Sequence, residues 1–453
     1  MPDSSLLSEE TDTVIIGAGA AGLAAASELA AASQHVLILE ARERIGGRIL
    51  TDRTIPIPLA IELGAEFVHG ASSAVIKWLK RANQVAVDAS RNRWRLNDGE
   101  LHPANDGLEQ LKRRFERLRP PRPDIPFSEF LERHRRALPQ PVREMACMMV
   151  QGFDAADASR ISTLEVLDEW RGGSAADAPT FRPVDGYDAL MDSMRQALAP
   201  ECAALRLGTV VHEIEWRKGR VTIGALRHGE AVRIQAARAV ITVPLGVLQL
   251  PPASPGSVRF TPELRDKRSA LAHLAPGPVI KVVMTFSKPF WAELQDCRYR
   301  DAGFFFAPGA PFPTFWTSLP VRTAVLVAWA GGPNASRLAG QGKDQVLAHV
   351  LDSLRALFGR RVSYSSLLES VSWHDWQSDP YSCGAYSYVL AKGAKARGAL
   401  ARPIEDTLFF AGEAADAEGD AGTVGGALQS GERVARDVLE SARHTKGRRS
   451  KAH

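Results

Sequence analysis

Short apolar runs alternate with glycine- and proline-rich turns and with amphipathic stretches along the whole chain. Runs rich in Val, Ile, Leu and Phe predict buried strands at residues 13–16, 36–39, 239–243, 279–286, 324–330 and 408–410. The wider stretch 206–243 predicts several strands, with a turn at 218–219. Helices are predicted directly after residue 19 and at 71–85, 341–358 and 423–439. This alternation of strands and helices predicts an α/β fold.

The segment between residues 90 and 182 has a different pattern, which predicts mainly helices with proline-rich breaks at 120–126 and 139–141. Strand-rich sequence flanks it on both sides, so we expect two interleaved domains rather than two consecutive ones. The first would contain residues 1–90, 187–262 and 376–445, and the second residues 91–186 and 263–375. Residues 446–453 are polar and basic and predict a frayed tail.

The most informative segment is residues 13–40. Its first strand is followed by a glycine triplet, an alanine-rich helix and a second strand that ends at Glu40. In a βαβ unit, Gly17 permits the tight turn, Gly19 lets the backbone approach a pyrophosphate, and Gly22 lets helix and strand pack closely. The N-terminus of the helix offers free N–H groups to phosphate, and Glu40 is placed to bind a ribose. The segment therefore predicts a Rossmann-like dinucleotide site.

The residues after the second strand favour a flavin over a nicotinamide. Residues 40–48, EARERIGGR, resemble the extended fingerprint of FAD-binding oxidoreductases. Gly46 and Gly47 would let a loop pass close to the cofactor, and Arg48 can reach its phosphates. Nicotinamide dehydrogenases do not usually carry this segment, so we expect FAD.

Composition limits the remaining possibilities. The chain has 453 residues, of which 45% are hydrophobic and 24% charged, which is ordinary for a globular protein. A net charge of +4 is too small to indicate binding to nucleic acid or to a membrane. The four cysteines contain no CxxC pair, so neither a metal site nor a disulfide scaffold is expected. The N-terminus lacks the basic region of a secretory signal, and we expect a cytoplasmic protein.

Four further blocks occur in an order that resembles the flavin-containing amine oxidases. This family includes monoamine oxidases, polyamine and spermine oxidases and the catalytic half of lysine-specific histone demethylases. The blocks are LGAEFVHG at 63–70, PVIKVVMTFSKPFW at 278–291, WQSDPYSCGAYSY at 376–388, and AGE at 411–413 with GTVGGA at 422–427. The resemblance extends from residue 13 to about residue 437. It implies a Rossmann-like FAD-binding domain interleaved with an α+β substrate-binding domain.

The resemblance also implies roles for residues near the flavin. The loop with Gly64, Ala65, Glu66 and Phe67 would pass beside it. His69 falls on the family's histidine, where it could bind or deprotonate an amine. A structural, hydrogen-bonded histidine is the alternative reading.

By the same resemblance, Lys281 would hold a water against flavin N5 and help the reduced flavin react with oxygen. Trp376 would pack on the edge of the flavin ring, and Tyr386 would face the substrate.

Two departures from the family pattern affect these expectations. Ala385 stands where monoamine oxidases carry the cysteine bonded to FAD, so we expect non-covalent FAD. The stretch 419–423 lacks the second aromatic of the usual amine cage, and Phe304 to Phe306, Phe315 or Trp316 are candidates to supply it.

The last block implies that Glu413 binds the ribityl hydroxyls. The full set of predicted cofactor-binding residues is Gly17, Gly19, Ala20, Ala21, Gly22, Glu40, Ala41, Arg42, Gly47, Arg48, Gly64, Ala65, Glu66, Phe67, Val211, Trp376, Gly412, Glu413, Thr423 and Val424.

The resemblance implies an enzyme that transfers hydride from the α-carbon of an amine to flavin N5. The imine product would hydrolyse to an aldehyde, and O2 would reoxidise the flavin to give hydrogen peroxide. Polyamines are the favoured substrates because of the His69 loop. The alternatives are an amino-acid oxidase, a desaturase, or an amine dehydrogenase with a different electron acceptor. We expect a monomer or homodimer, with a small amine and O2 as its only partners.

Overall fold

The computed structural model describes residues 9–70, 72–89, 92–104, 107–171 and 179–450. In these ranges the strands are β1 (Glu9–Ile16), β2 (Val36–Leu39), β3 (Thr51–Asp52), β4 (Ile61–Glu62), β5 (Val68–His69), β6 (Ala86–Asp88), β7 (Arg93–Asn97), β8 (Glu100–Pro103), β9 (Thr180–Pro183), β10 (Ala203–Arg206), β11 (Thr209–Arg217), β12 (Arg220–Arg227), β13 (Glu230–Ile241), β14 (Arg259–Thr261), β15 (Leu274–Pro276), β16 (Val279–Phe286), β17 (Phe304–Phe306), β18 (Thr314–Thr317), β19 (Val325–Gly331), β20 (Leu368–Asp375), β21 (Ser387–Val389) and β22 (Leu408–Phe410).

The helices of the same ranges are α1 (Ala20–Ala31), α2 (Ser73–Arg81), α3 (Gly107–Glu116), α4 (Phe127–Arg133), α5 (Gln140–Phe153), α6 (Thr163–Arg171), α7 (Tyr187–Gln196), α8 (Leu245–Leu248), α9 (Arg268–Ala272), α10 (Pro333–Ser336), α11 (Lys343–Phe358), α12 (Tyr364–Leu367), α13 (Ala396–Ala401) and α14 (Val424–Ser450). Single 3₁₀ turns lie at Arg265–Lys267, Phe290–Glu293 and Glu413–Ala415. Helix α14 runs past the predicted end at residue 439. Of the predicted tail, residues 451–453 lie outside the described part of the chain.

The first sheet has the order β10-β2-β1-β13-β12-β11-β14, with β22 paired to β13. Strands β10, β2, β1, β13 and β22 run parallel, so their carboxyl ends meet at one edge. β2 is buried along its whole length because helices and other elements cover both faces, as in most parallel sheets. Ligands of such sheets bind at this edge.

Helix α1 lies unusually close to this sheet and to α14. A Cβ atom on Gly22 would overlap the carbonyl oxygen of Gly17, and one on Gly431 of α14 would overlap that of Ala21. Gly17 itself has a φ of +108°, which favours glycine. Tight packing of strand, turn and helix thus depends on hydrogen in place of a side chain.

The second sheet has the order β20-β16-β19-β18-β17-β7-β8. Strand β16, next to the edge strand β20, is buried at every position, and β19 and β20 flank it in antiparallel register. One face packs on an apolar cluster with α11, built around Phe305, Phe312, Phe315 and Trp291. A smaller sheet, β5-β9-β6, joins the residues before and after the helical segment.

Most sequence predictions for secondary structure are confirmed. The predicted strands and helices all appear, most with ends shifted by a few residues, whereas α14 continues to Ser450 instead of ending at residue 439. The prediction for residues 90–182 was wrong in part, because β7 and β8 form a hairpin in the second sheet and β9 is a strand. The hairpin turn at Asp98 and Gly99 has positive φ at both residues, which is the conformation that an Asp-Gly pair favours.

The fold class is therefore α/β as expected, whereas the domain boundaries remain predictions. In the described residues no helix is both long and apolar enough to cross a membrane.

We predict that Gly22→Ala destabilises the protein by about 1–3 kcal/mol, because its methyl group must displace the Gly17 carbonyl or move α1. Urea unfolding followed by circular dichroism measures the change. Gly398→Ala is the matched control, since a Cβ there meets nothing within 4 Å and α13 should gain up to about 1 kcal/mol. Equal stability of Gly22→Ala and the native protein would contradict this packing argument.

Candidate active site and cofactor cavity

A long cavity begins at the carboxyl edge of the first sheet and ends beside the second sheet. Eighteen predicted site residues lie on its wall: Gly17, Gly19, Ala20, Ala21, Glu40, Ala41, Arg42, Gly47, Arg48, Gly64, Ala65, Val211, Trp376, Tyr386, Gly412, Glu413, Thr423 and Val424. The other five, Gly22, Glu66, Phe67, His69 and Lys281, do not form part of the wall as described. Gly22 contributes through packing instead.

The end of the cavity near β1 and β2 has the features of a dinucleotide site. One carboxylate oxygen of Glu40 accepts the Ala18 N–H at 2.8 Å, and the other accepts the Arg42 N–H at 3.0 Å. These bonds fix the buried carboxylate at the tip of β2. The first N–H groups of α1 have no partner inside the helix, and Ala20 and Ala21 at this terminus lie on the cavity wall. Phosphates and a ribose fit this arrangement.

Arg48 and Glu413 form an ion pair farther along the wall. Arg48 Nη1 lies 2.9 Å from Glu413 Oε1 and also donates to the carbonyl of Ala385. The second oxygen of Glu413 accepts the Ser387 hydroxyl at 2.7 Å. Burial would raise the pKa of Glu413, but Arg48 and Arg397 hold it below its usual value. The remaining N–H groups of Arg48 are thus the ones available for the phosphates that the sequence assigned to it.

A second helix terminus faces the same cavity. Thr423 caps α14, because its hydroxyl donates to the Asp420 carbonyl at 2.6 Å and accepts the Gly426 N–H at 3.0 Å. Thr423 and Val424 both line the wall. The positive end of this helix would stabilise negative charge on a bound ring.

Tyr386 and Trp329 form a pair of parallel rings on the wall. Their centroids are 6.5 Å apart and their planes differ by 12°. Each ring is anchored to the end of α5, since Trp329 Nε1 donates to the Gly152 carbonyl at 3.1 Å and the Tyr386 hydroxyl donates to the Phe153 carbonyl at 2.5 Å. Burial raises the pKa of Tyr386, so the phenol stays protonated.

Sequence reasoning missed Trp329. Of the aromatic residues it proposed as partners of Tyr386, Phe305 and Phe315 are in the core of the second sheet. Phe304 packs on Phe67 and Phe306, and Trp316 packs on Phe67 and on Trp329, with ring centroids 5.6 and 5.8 Å away. Trp329 lies on β19 directly opposite Lys281, a cross-strand register that sequence alone does not reveal. Cys383 donates its thiol to Pro380 at 3.5 Å and is absent from the described cavity wall.

Lys281 is buried behind the wall, with 1% of its surface exposed. Its Nζ lies 2.7 Å from Glu66 Oε2 and donates to the Gly64 carbonyl at 3.2 Å. Glu66 also pairs with Arg182 at 2.7 Å and accepts the Trp316 indole N–H at 3.0 Å. The Glu66 carboxylate therefore binds side chains of the protein. In this loop, Gly64 and Ala65 are the residues on the cavity wall, where they can contact the cofactor.

His69 lies between Phe67 and Phe153, with ring centroids 6.1 and 5.3 Å away. Its Nδ1 is buried without a hydrogen-bond partner in the described part of the chain. Burial lowers the pKa of His69 to about 4, so the ring is neutral at pH 7.

Comparison with known proteins agrees with this geometry. Residues 20–439 match the family model described as flavin containing amine oxidoreductase. Polyamine oxidase 4 of Oryza sativa subsp. japonica is 28% identical, over 92% of this chain and 86% of that protein. Lysine-specific histone demethylase 2 of Homo sapiens is 25% identical over 94% of this chain, which spans only 53% of the demethylase.

Solved structures of amine oxidases share the fold. Putrescine oxidase in complex with putrescine has a TM-score of 0.78 at 21% identity, covering 96% of this chain and 100% of that one. Cyclohexylamine oxidase from Brevibacterium oxydans IH-35A also has a TM-score of 0.78, at 20% identity, covering 96% and 99%. The chain belongs to the flavin-containing amine oxidoreductases. It is thus an FAD-dependent enzyme of the amine oxidase class, and the two helix termini, Glu40 and the glycine turn fit that cofactor.

We predict that His69 makes the protein less stable in acid. Between about pH 6.5 and pH 4 the unfolded histidine binds a proton and the folded one does not. The free energy of unfolding should therefore fall as pH falls, by up to about 1.4 kcal/mol per pH unit from this residue. Urea unfolding of the native protein and His69→Gln across this range measures the difference. The exposed His102→Gln is the control, and an unchanged slope in His69→Gln would contradict the burial argument.

Proposed function

We propose that this enzyme oxidises aliphatic amines, with polyamines preferred, and passes the electrons to O2. The α-carbon of the amine loses a hydride and its nitrogen forms an imine, which water converts to an aldehyde and a free amine. FAD, when bound, would supply the acceptor for this hydride, and O2 would take up the two electrons with two protons to give hydrogen peroxide. The parallel pair of Trp329 and Tyr386 is the observation that carries this proposal.

The two rings suit an alkylammonium ligand. Aromatic faces attract cations and also bind methylene groups, and both rings lie on the wall at the second-sheet end of the cavity. Because α5 carbonyls hold both polar tips, the ligand would contact these rings through the π surfaces that line the cavity, while Trp316 packs on Trp329 with ring centroids 5.8 Å apart. An extended polyamine chain has the alternating charge and methylenes that this surface binds.

The amine must be neutral before its nitrogen lone pair can help expel a hydride. An apolar, water-poor pocket favours the neutral form. His69 adds a neutral imidazole whose Nδ1 has no described partner, so it can form a hydrogen bond with an amine, although its low pKa makes it too weak a base to hold the proton of an alkylammonium ion. His69 is not part of the cavity wall, so this role depends on local movement around Phe67 and Phe153.

An amino-acid oxidase is the less favoured alternative. Such an enzyme needs an arginine free to bind the substrate carboxylate. The arginines on the described wall are Arg42 and Arg48, and both are paired, with Asp379 at 2.5 Å and with Glu413 at 2.9 Å respectively. An amine dehydrogenase would oxidise the same amines but use another electron acceptor. Measuring whether the reduced enzyme reacts with O2 distinguishes it from an oxidase.

Anaerobic mixing of the purified holoenzyme with an amine panel tests the substrate class. We expect spermine, spermidine or putrescine to bleach the flavin absorbance faster than phenethylamine, cyclohexylamine or amino acids, and peroxide to appear when O2 is admitted. Faster bleaching by phenethylamine would refute the polyamine preference. Bleaching without peroxide would favour a dehydrogenase, and no bleaching by any amine would refute the proposed activity.

We expect Trp329→Leu to lower kcat/KM for the best amine by about tenfold, because losing one cation–π face costs about 1–2 kcal/mol. Steady-state kinetics measures the effect, which should fall mainly on KM. Trp216→Leu is the matched control, since this indole also donates to a carbonyl, that of Pro262 at 2.9 Å, but lies outside the cavity. Similar losses in both variants would show that the pair does not bind the amine.

A further inference from the structure

We propose that Glu66 is a positioning residue for the oxygen reaction, which holds the Lys281 ammonium in place and keeps it charged beside the cofactor cavity. This inference rests on the proposed reaction with O2. It concerns a carboxylate that the sequence had assigned to the cofactor. The structure places that carboxylate on the lysine instead.

The geometry fixes the direction of the ammonium group. Lys281 Nζ has three N–H donors, of which Glu66 and the Gly64 carbonyl take two. Both acceptors belong to the loop after β4, whose Gly64 and Ala65 form part of the cavity wall. The Nζ also lies 5.3 Å from the centroid of the Trp316 ring. The lysine therefore cannot swing away from this loop without losing a buried ion pair.

Arg182 makes the cluster asymmetric in charge. Its guanidinium donates to Glu66 and to the carbonyls of Ser318 and Leu319, at 3.1 and 2.8 Å, so it is held independently of the lysine. Two cations thus share one anion, and the group keeps a net charge of +1. Burial would raise the pKa of Glu66, but Lys281 and Arg182 hold it below its usual value, so the anion persists at neutral pH.

The other ionisable groups around Lys281 do not replace Glu66. Among the described residues these are Glu62 on β4 and His374, which lies opposite Lys281 on β20. Glu62 accepts the Tyr187 N–H at 2.7 Å and the Thr51 hydroxyl at 2.8 Å, and burial raises its pKa to about 7. Without Glu66, the nearest described carboxylate would be Glu62, which is hydrogen-bonded to Tyr187 and Thr51 rather than to Lys281 or Arg182. Two buried cations would then lack a directly bonded anion, which favours loss of the lysine proton.

A fixed positive charge matters most when O2 is reduced. O2 becomes negatively charged as it takes up electrons, and a preorganised cation nearby stabilises that charge. A neutral lysine lacks the positive charge that provides this stabilisation. Loss of the Glu66 charge should therefore slow the reaction of reduced flavin with O2 at high pH, and affect amine oxidation less.

The experiment uses photochemically reduced holoenzyme mixed with O2 in a stopped-flow instrument between pH 6 and pH 10. No amine is needed, so the result does not depend on the proposed substrates. We expect the flavin of Glu66→Gln to be reoxidised at least tenfold more slowly than that of the native enzyme at pH 9. As pH is raised, the reoxidation rate of the variant should begin to fall at least one pH unit lower than that of the native enzyme. Glu62→Gln, which removes a nearby carboxylate not bonded to Lys281, should follow the native profile. Identical profiles for Glu66→Gln and the native enzyme would overturn the proposal.

A double-mutant cycle shows whether Glu66 acts through the lysine. In the Lys281→Met background, Glu66→Gln should change the reoxidation rate less than twofold. An equal effect in both backgrounds would overturn the proposal.

Urea unfolding adds a readout that does not involve catalysis. If Lys281 loses its proton more easily in folded Glu66→Gln, the unfolding free energy of this variant should increase with pH up to about pH 10. The increase should be absent in the double variant, and its absence in Glu66→Gln would count against the proposal.

Glu66→Asp keeps the negative charge and should restore part of the native pH profile of flavin reoxidation. It provides a second variant if Glu66→Gln folds poorly.

Discussion

A buried lysine needs an anion within hydrogen-bonding distance, and this requirement connects the parts of the structure. Lys281 comes from the second sheet, Glu66 from the loop after β4, and Arg182 from the small sheet β5-β9-β6. Breaking such a cluster leaves an uncompensated buried charge, which costs about 3–5 kcal/mol. The three segments must therefore fold together, and the end of the cavity that faces the second sheet is defined by the same contacts.

The residues that the sequence predicted and the structure places on the cavity wall are mostly those defined by local spacing. The glycine turn, Glu40 and the N-terminus of α14 were all predicted, because each needs only a strand, a turn and a helix in order. Gly22 was assigned to packing from its spacing alone, and the structure places it against Gly17. The fold class followed from the same patterns.

The residues that were missed depend on pairing between distant segments. Trp329 faces Tyr386 only because β19 pairs with β16 in one particular register. Arg182 reaches Glu66 from a segment that the sequence pattern had marked as mainly helical. The hairpin of β7 and β8 is a different kind of error, since its Asp98-Gly99 turn is a local sequence signal that does not depend on distant segments.

Ala385 has a consequence for the life of the protein. Its methyl side chain, on the cavity wall next to Arg48, offers no sulfur for a bond to the flavin, and FAD held without a covalent bond would be exchangeable. An exchangeable ligand stabilises the folded state only in proportion to the logarithm of its free concentration. The resistance of this enzyme to heat and proteolysis would then follow the supply of FAD, and flavin analogues with altered redox potential could be introduced by simple reconstitution.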